Sequence, residues 1–278
     1  MVDFWNTLTD PDFGFLRLAL LVGVFSSFTF GIVGTFVVVR RISYLAGAIS
    51  HCVFGGIGAG LYLRHAVGWS WFDPVFGATL AALAAAVIIG LVSLYGRQRE
   101  DSVISAIWAV GMAAGLLLID RVPGSFDIAS YLFGDILLIS ETDVYLVVVL
   151  GFLVVASVSL FYNKLVAICC DEEFSRLRGV NTAFYYLFLL CITALSVVLL
   201  VRVVGVVMVI ALLTLPPAAA SRFSTELRQM MFLSIALCIL FVVGGLALSY
   251  IYGLSSGPTI ILVAGAVYLG VVVFKRRS

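Results

Sequence analysis

Long apolar runs separated by short polar loops fill this chain from end to end. Nine segments read as membrane-crossing helices: roughly 13–39, 44–63, 73–96, 102–119, 143–162, 183–201, 203–220, 229–252 and 257–274. Several exceed the roughly 18 apolar residues that separate a spanning helix from a buried core helix. Between the fourth and fifth lies SFDIASYLFGDILLISETD, which is too short and too acidic to cross. It predicts a short non-spanning helix or a re-entrant piece on one face, because irregular backbone at membrane depth needs cover from protein or a wet cavity. The expected fold class is therefore an all-α polytopic membrane protein. It is a bundle of eight or nine transmembrane helices, eight if one run is merely interfacial, and one domain over residues 1–278.

Composition agrees with the pattern. Hydrophobic residues make up 63% of the chain and charged residues 11%, where a soluble domain carries roughly a quarter charged. A net charge of +1 implies no polyanionic partner, and no basic patch or stacking motif points to nucleic acid. The five cysteines follow no zinc-finger or disulfide spacing, and the adjacent Cys169 and Cys170 beside a charged loop suggest a reducing compartment. The acidic N-terminus lacks the basic region of a cleavable signal peptide.

The basic residues orient the bundle. With the loop after the first span inside, alternate loops place 12 of the 16 lysines and arginines inside and leave Arg17, Arg64, Arg121 and Arg202 outside. The positive-inside rule then puts the C-terminus in the cytoplasm, with the N-terminus outside for nine spans and inside for eight. Nine of the fifteen acids fall on the outer side. They either concentrate cations at that mouth or simply avoid neither side.

Glycine recurs at small-xxx-small spacing, at Gly56 and Gly60 and at Gly111 and Gly115, with Gly31 close to Gly34. Such spacing lets helices approach closely where lipid offers no hydrophobic drive. Pro216 and Pro217 predict a break or bend late in a span.

His51, one of two histidines, lies inside the second run. An ionisable residue in a span is a functional candidate, and neutral imidazole ligates zinc and similar divalent metals. Ser50 and Cys52 flank it but point about 100° away around the helix. The i−4 position that shares its face holds Gly47, which offers no ligand. On the residues alone, a pathway histidine and one bonded to a backbone carbonyl between packed helices both stand. A second feature is the charged loop at about 163–182, read as KLVAICCDEEFSRLRGVN. Acids first, bases last and a closing glycine spell a short dipole-matched helix. Such a helix can dock into a partner or lie on the membrane surface. No phosphate-binding glycine loop, nucleophile elbow or paired-histidine metalloprotease motif is present, so any ATP-driven motor belongs to another chain.

Together these pieces resemble the permease subunits of bacterial zinc/manganese/iron ABC importers, in order and over nearly the whole chain. TFVVVRRISYLAGAISHCVFGGIGAGLYL is similar to the family's first cytoplasmic turn and second helix, with its G-D-x-x-[SA]-H motif. SYLFGDILLIS is similar to the Y-L-F-G-D segment, and DEEFSRLRGVN to the cytoplasmic coupling helix. VVGVVMVIALLTLPPAAASRF and YGLSSGPTIILVAGAVYLG resemble the late P-A-A-x-A-R and S/A-G-P motifs.

The resemblance implies a transport subunit without catalysis of its own, in the bacterial inner membrane. Zinc or manganese is expected first and iron next. An extracytoplasmic metal-binding protein would deliver the ion to two permease chains, as a homodimer or heterodimer, and cytoplasmic ABC ATPase subunits would bind the ATP. This chain would hold no cofactor. It carries the coupling role to Glu173, Phe174, Arg176 and Gly179. The translocation path carries to His51, with Gly47, Ser50 and Cys52 around it, and His51 is the only metal ligand so implied. Asp135 is a further outer-face candidate, for metal or for docking of the binding protein.

One departure stands out. The motif aspartate, one turn before the histidine, is replaced by Gly47. An acidic residue common just before S/A-G-P is also missing from YGLSSGP. Zinc normally has three or four ligands, so transient contacts, ligands from a second chain, or a bulkier cargo such as a metal chelate are all open. A self-sufficient secondary transporter or channel, or an intramembrane enzyme, would need midplane carboxylates or a nucleophile–base pair, and the spans hold neither away from their ends.

Overall fold

The structure is a computed structural model that describes residues 14–96, 100–123, 132–134 and 141–275. Its named elements are helices α1 (Gly14–Val39), α2 (Ser43–His65), α3 (Pro74–Tyr95), α4 (Glu100–Ile119), α5 (Glu141–Leu160), α6 (Tyr162–Cys170), α7 (Glu172–Leu177), α8 (Thr182–Val204), α9 (Val206–Ala220), α10 (Leu227–Tyr252) and α11 (Ser256–Lys275). Eight of these are long and apolar enough to cross a membrane, and α9 is a shorter apolar helix. All nine runs expected from the sequence are thus helical. Tyr131 and Asp135 of the Y-L-F-G-D segment lie outside the described residues, which include only 132–134 of it.

Contacts at the two ends of the bundle fix its topology. At one end, Arg40 after α1 pairs with Glu172 of α7, and the Arg228 guanidinium of α10 lies 5.3 Å over the Tyr162 ring of α6. At the opposite end, Gly205 between α8 and α9 abuts Phe133 and Gly134, and Gly257 of α11 abuts the Phe133 carbonyl. Helix α8 therefore runs away from α7, and α9 returns. Fifteen residues of α9 reach only about 22 Å at 1.5 Å per residue, less than the roughly 30 Å hydrocarbon core. The sequence expectation started this helix at 203. Gly205 has φ +84° and ψ 157°, a conformation essentially closed to other residues, which ends α8 and starts α9. An unbroken apolar run such as VVGVV conceals that break.

Helix α2 is the hub. It packs against α3, α4, α8 and α9, and 78% of its spanning stretch is buried, against 17% for α4. Outer helices turn large apolar side chains outward, among them Leu117, Phe152, Phe232 and Leu262. In water such a surface would aggregate; against lipid it is the stable one.

Glycine makes the close contacts. A Cβ at Gly55 would sit 2.5 Å from the Gly111 carbonyl oxygen, and one at Gly58 would sit 2.6 Å from that of Gly115. Gly56 and Gly60 play the same part against Gly77 and Pro74 of α3. The small-residue spacing in α2 and α4 marks true helix–helix seams.

Pro216 and Pro217 lie inside α9, which continues through them to Ala220. Each missing N–H frees a carbonyl four residues back, here those of Leu212 and Leu213. The Cys238 thiol of α10 donates to Leu212 O at 3.7 Å. Gly34 of α1 lets that helix close directly onto Leu213 O. Other hydroxyls in the spans donate to their own helix one turn back, as Ser27, Thr35, Thr193, Ser196 and Ser234 do. These bonds keep the five hydroxyls paired within the spans.

Gly205→Ala is expected to lower thermal stability in detergent, by about 1–3 kcal/mol from backbone strain plus collision with Gly134. Gly244→Ala, at a helical position with open space around it, should instead raise stability by about 0.5–1 kcal/mol. Parallel melting curves of the two variants check the contrast.

Candidate functional site

His51 sits mid-way along α2 with only 8% of its surface exposed. Its Nδ1 is buried and has no hydrogen-bond partner among the described residues. No backbone carbonyl among the described residues accepts a hydrogen bond from Nδ1. Its ring stacks instead on Trp108 of α4, with centroids 4.6 Å apart and planes 24° apart. Trp108 is reached because the Gly55–Gly111 and Gly58–Gly115 seams bring α4 close to α2.

The neighbours separate as helical spacing dictates. Ser50 is fully buried and donates its hydroxyl to Ala46 O at 2.9 Å. Cys52 lies on another side, its thiol 3.6 Å from Ile107 O, and lines an apolar groove of about 610 Å³ between α2, α3 and α4. Gly47 faces the Trp108 ring, and a Cβ there would come within 2.8 Å of indole Cζ3. The Trp108 indole thus fills the space in which a longer side chain at 47 would lie. No three His, Cys, Asp or Glu side chains converge among the described residues. His51 therefore has an aromatic cover, and the position one turn before it, Gly47, offers no side chain to share a ligand.

A second arrangement occupies the α7 end. Asp171 caps the six-residue α7 by accepting from Phe174 N at 2.9 Å. Gly179 follows with φ +76°, the left-handed region that glycine enters without strain. Ser175 is buried, whereas Glu173, Phe174, Arg176, Leu177 and Gly179 are exposed. Phe174 is 52% exposed and Leu177 86%, and the Arg178 guanidinium lies 4.8 Å over the Phe174 ring. A short helix that displays its apolar residues has a face left to bury.

Arg40 holds that helix in place. Its guanidinium donates to Glu172 Oε2 and to Ile168 O, each at 2.9 Å, and lies 5.2 Å over the Tyr186 ring of α8. The sequence marks Arg40 as one of the inside basic residues and Glu172 as one of the acids that open the loop helix, but does not pair them. An arginine at a span end, with acids at the start of a later polar loop, was the only hint. The same packing encloses Cys169: burial pushes its thiol up to about 12, against an opposing pull from Arg40. Cys170 beside it is exposed.

The family model described as "ABC 3 transport family" matches residues 12–275. The chain belongs to the ABC 3 transport family. It is 37% identical over 248 residues to a Chlamydia pneumoniae protein named "Probable metal transport system membrane protein", covering 89% of this chain and 84% of that one. With the manganese transport system membrane protein MntC of Listeria innocua it shares 29% identity, over 96% of this chain and 92% of the other. A solved structure of PsaBC from Streptococcus pneumoniae in complex with Fab superposes with a TM-score of 0.86 at 28% identity, over 97% of this chain and 94% of that one. This ABC 3 family member is thus a multi-pass, nearly all-helical transport permease, and its α7 lies where the polar loop between the fifth and sixth long spans leaves the bundle.

Arg40→Ala should loosen α7 without unfolding the bundle. A charge-assisted bond to a partly exposed group is worth about 1.5 kcal/mol at the low end, so hydrogen exchange in α7 should speed up by about tenfold. Exchange in α2 and α4 should stay unchanged, and Arg40→Lys should fall in between.

Proposed function

We propose that this chain is the membrane subunit of an ATP-driven importer of a divalent transition metal, the ion passing His51 on its way. The relatives' names supply the cargo class: one belongs to a metal and one to a manganese transport system. The observation that carries the coupling half of the reading is the exposed Phe174–Leu177 face of α7, anchored to α1 by the Arg40–Glu172 pair. A rigidly held apolar face passes a partner's movement into the bundle, whereas a solvated loop would absorb it. Glu173, Phe174, Arg176 and Gly179 would meet a cytoplasmic ATPase that binds and hydrolyses the ATP. An extracytoplasmic metal-binding protein would load the opposite end, near the Y-L-F-G-D segment with Asp135, and a second permease copy would complete the pathway.

This reading places the α7 end and the C-terminus in the cytoplasm of a bacterium, with the bundle in the inner membrane. The distribution of basic residues supports that orientation. The chain itself would perform no catalysis and carry no resident cofactor; the metal is cargo.

His51→Ala, reconstituted in vesicles with the ATPase and the binding protein, should lower metal uptake about 10- to 100-fold while ATP hydrolysis persists. Unchanged uptake would remove His51 from the path. A Phe174→Glu/Leu177→Glu variant should no longer co-purify with the ATPase. Exposed Cys170 should react with a membrane-impermeant maleimide in inverted vesicles only. Labelling in right-side-out vesicles that Cys170→Ser abolishes would reverse the orientation.

A further inference from the structure

The stack around His51 has a third member. Tyr44, two turns before His51 on α2, lies 5.5 Å from the Trp108 ring, and its hydroxyl pairs with Ser105 Oγ of α4 at 3.1 Å. Trp108 is therefore held by aromatic rings along one helix face, with Gly47 in the gap beneath it. At 2.8 Å from where a Cβ would stand, the indole and any larger residue at 47 exclude each other. Gly47 and Trp108 act as one unit: the glycine makes room and the indole takes it. The buried imidazole beside them retains an unpartnered Nδ1.

We propose that Trp108 is the specificity-determining residue of this permease. Lying on His51 over Gly47, it leaves a site of one imidazole and an aromatic face, which favours a zinc-class ion over manganese. The inference rests on the importer reading above. Its chemistry follows from the donors. Imidazole suits zinc, copper, nickel and ferrous iron, whereas manganese prefers carboxylate, carbonyl and water oxygens. An indole face attracts a cation electrostatically but offers no lone pair for coordination. It also excludes water from one side of the ring, so an ion that keeps its hydration shell is disfavoured there. The position one turn before His51, where a carboxylate could share its ion, holds Gly47, and the indole fills the space a side chain there would take, so that position does not grip a hard divalent ion.

The test uses the complete importer in vesicles, with zinc and manganese uptake measured separately and in competition. Wild type should prefer zinc. Trp108→Phe should keep the preference, while Trp108→Leu should lower the zinc-to-manganese ratio about tenfold. Gly47→Asp alone should depress uptake of both ions, because its carboxylate meets the indole. Gly47→Asp combined with Trp108→Ala should raise manganese uptake above wild type. A ratio that stays constant through Trp108→Leu and Trp108→Ala overturns the assignment, as does a wild type that prefers manganese. A second readout does not depend on disruptive variants. The tryptophan emission of the wild-type complex, taken as a difference against Trp108→Phe, should change with zinc and far less with manganese; equal responses would also overturn it. ATP-dependent uptake of neither ion by wild type would instead count against the importer reading itself.

Discussion

The close approach of α2 and α4 is the constraint on which the candidate site depends. Lipid provides no hydrophobic force between helices, so the contact must come from dispersion between well-matched surfaces. Gly55 against Gly111 and Gly58 against Gly115 bring the two backbones near enough for that. Three residues before Gly111, the same approach lays Trp108 across His51. Elsewhere in a helix an alanine is better than glycine by about 1 kcal/mol. Here each added methyl would meet a carbonyl oxygen, so the intrinsic preference is overridden by geometry.

A related rule governs the far side of the hub, where α9 carries two consecutive prolines. Their missing N–H groups leave the carbonyls of Leu212 and Leu213 without helical partners at membrane depth. A thiol from α10 and the bare Cα of Gly34 in α1 cover them. The double proline thereby fastens α9 to two neighbours. At the α7 end the logic is electrostatic. One half-buried guanidinium holds a carboxylate, a helix-end carbonyl and an aromatic ring, and so ties the polar loop to the end of α1.

Much of the architecture was legible in the chain. The apolar runs located nine helices, and the acids-first, bases-last loop located α7. The small-residue spacing named seams that the structure contains. What failed was local. The expected start of the seventh span, at 203, missed the Gly205 break, because a glycine between valines looks the same whether its φ is negative or positive. At Pro216 and Pro217, where the sequence predicts a break or a bend packed against a neighbour, the helix runs on through both prolines, and α10 and α1 pack on the carbonyls they free.

The site divides in the same way. Sequence by itself determined that His51 is an ionisable residue in a span, that Gly47 stands one turn before it, and that Ser50 and Cys52 point elsewhere. These follow from the 3.6-residue repeat, which is local. Only the tertiary structure decided that Trp108, 61 positions after Gly47, fills the space over that glycine, and that Arg40 reaches Glu172 across 132 positions. Such pairings depend on how closely whole helices pack. That distance is set jointly by every side chain along a seam and is written at no single position.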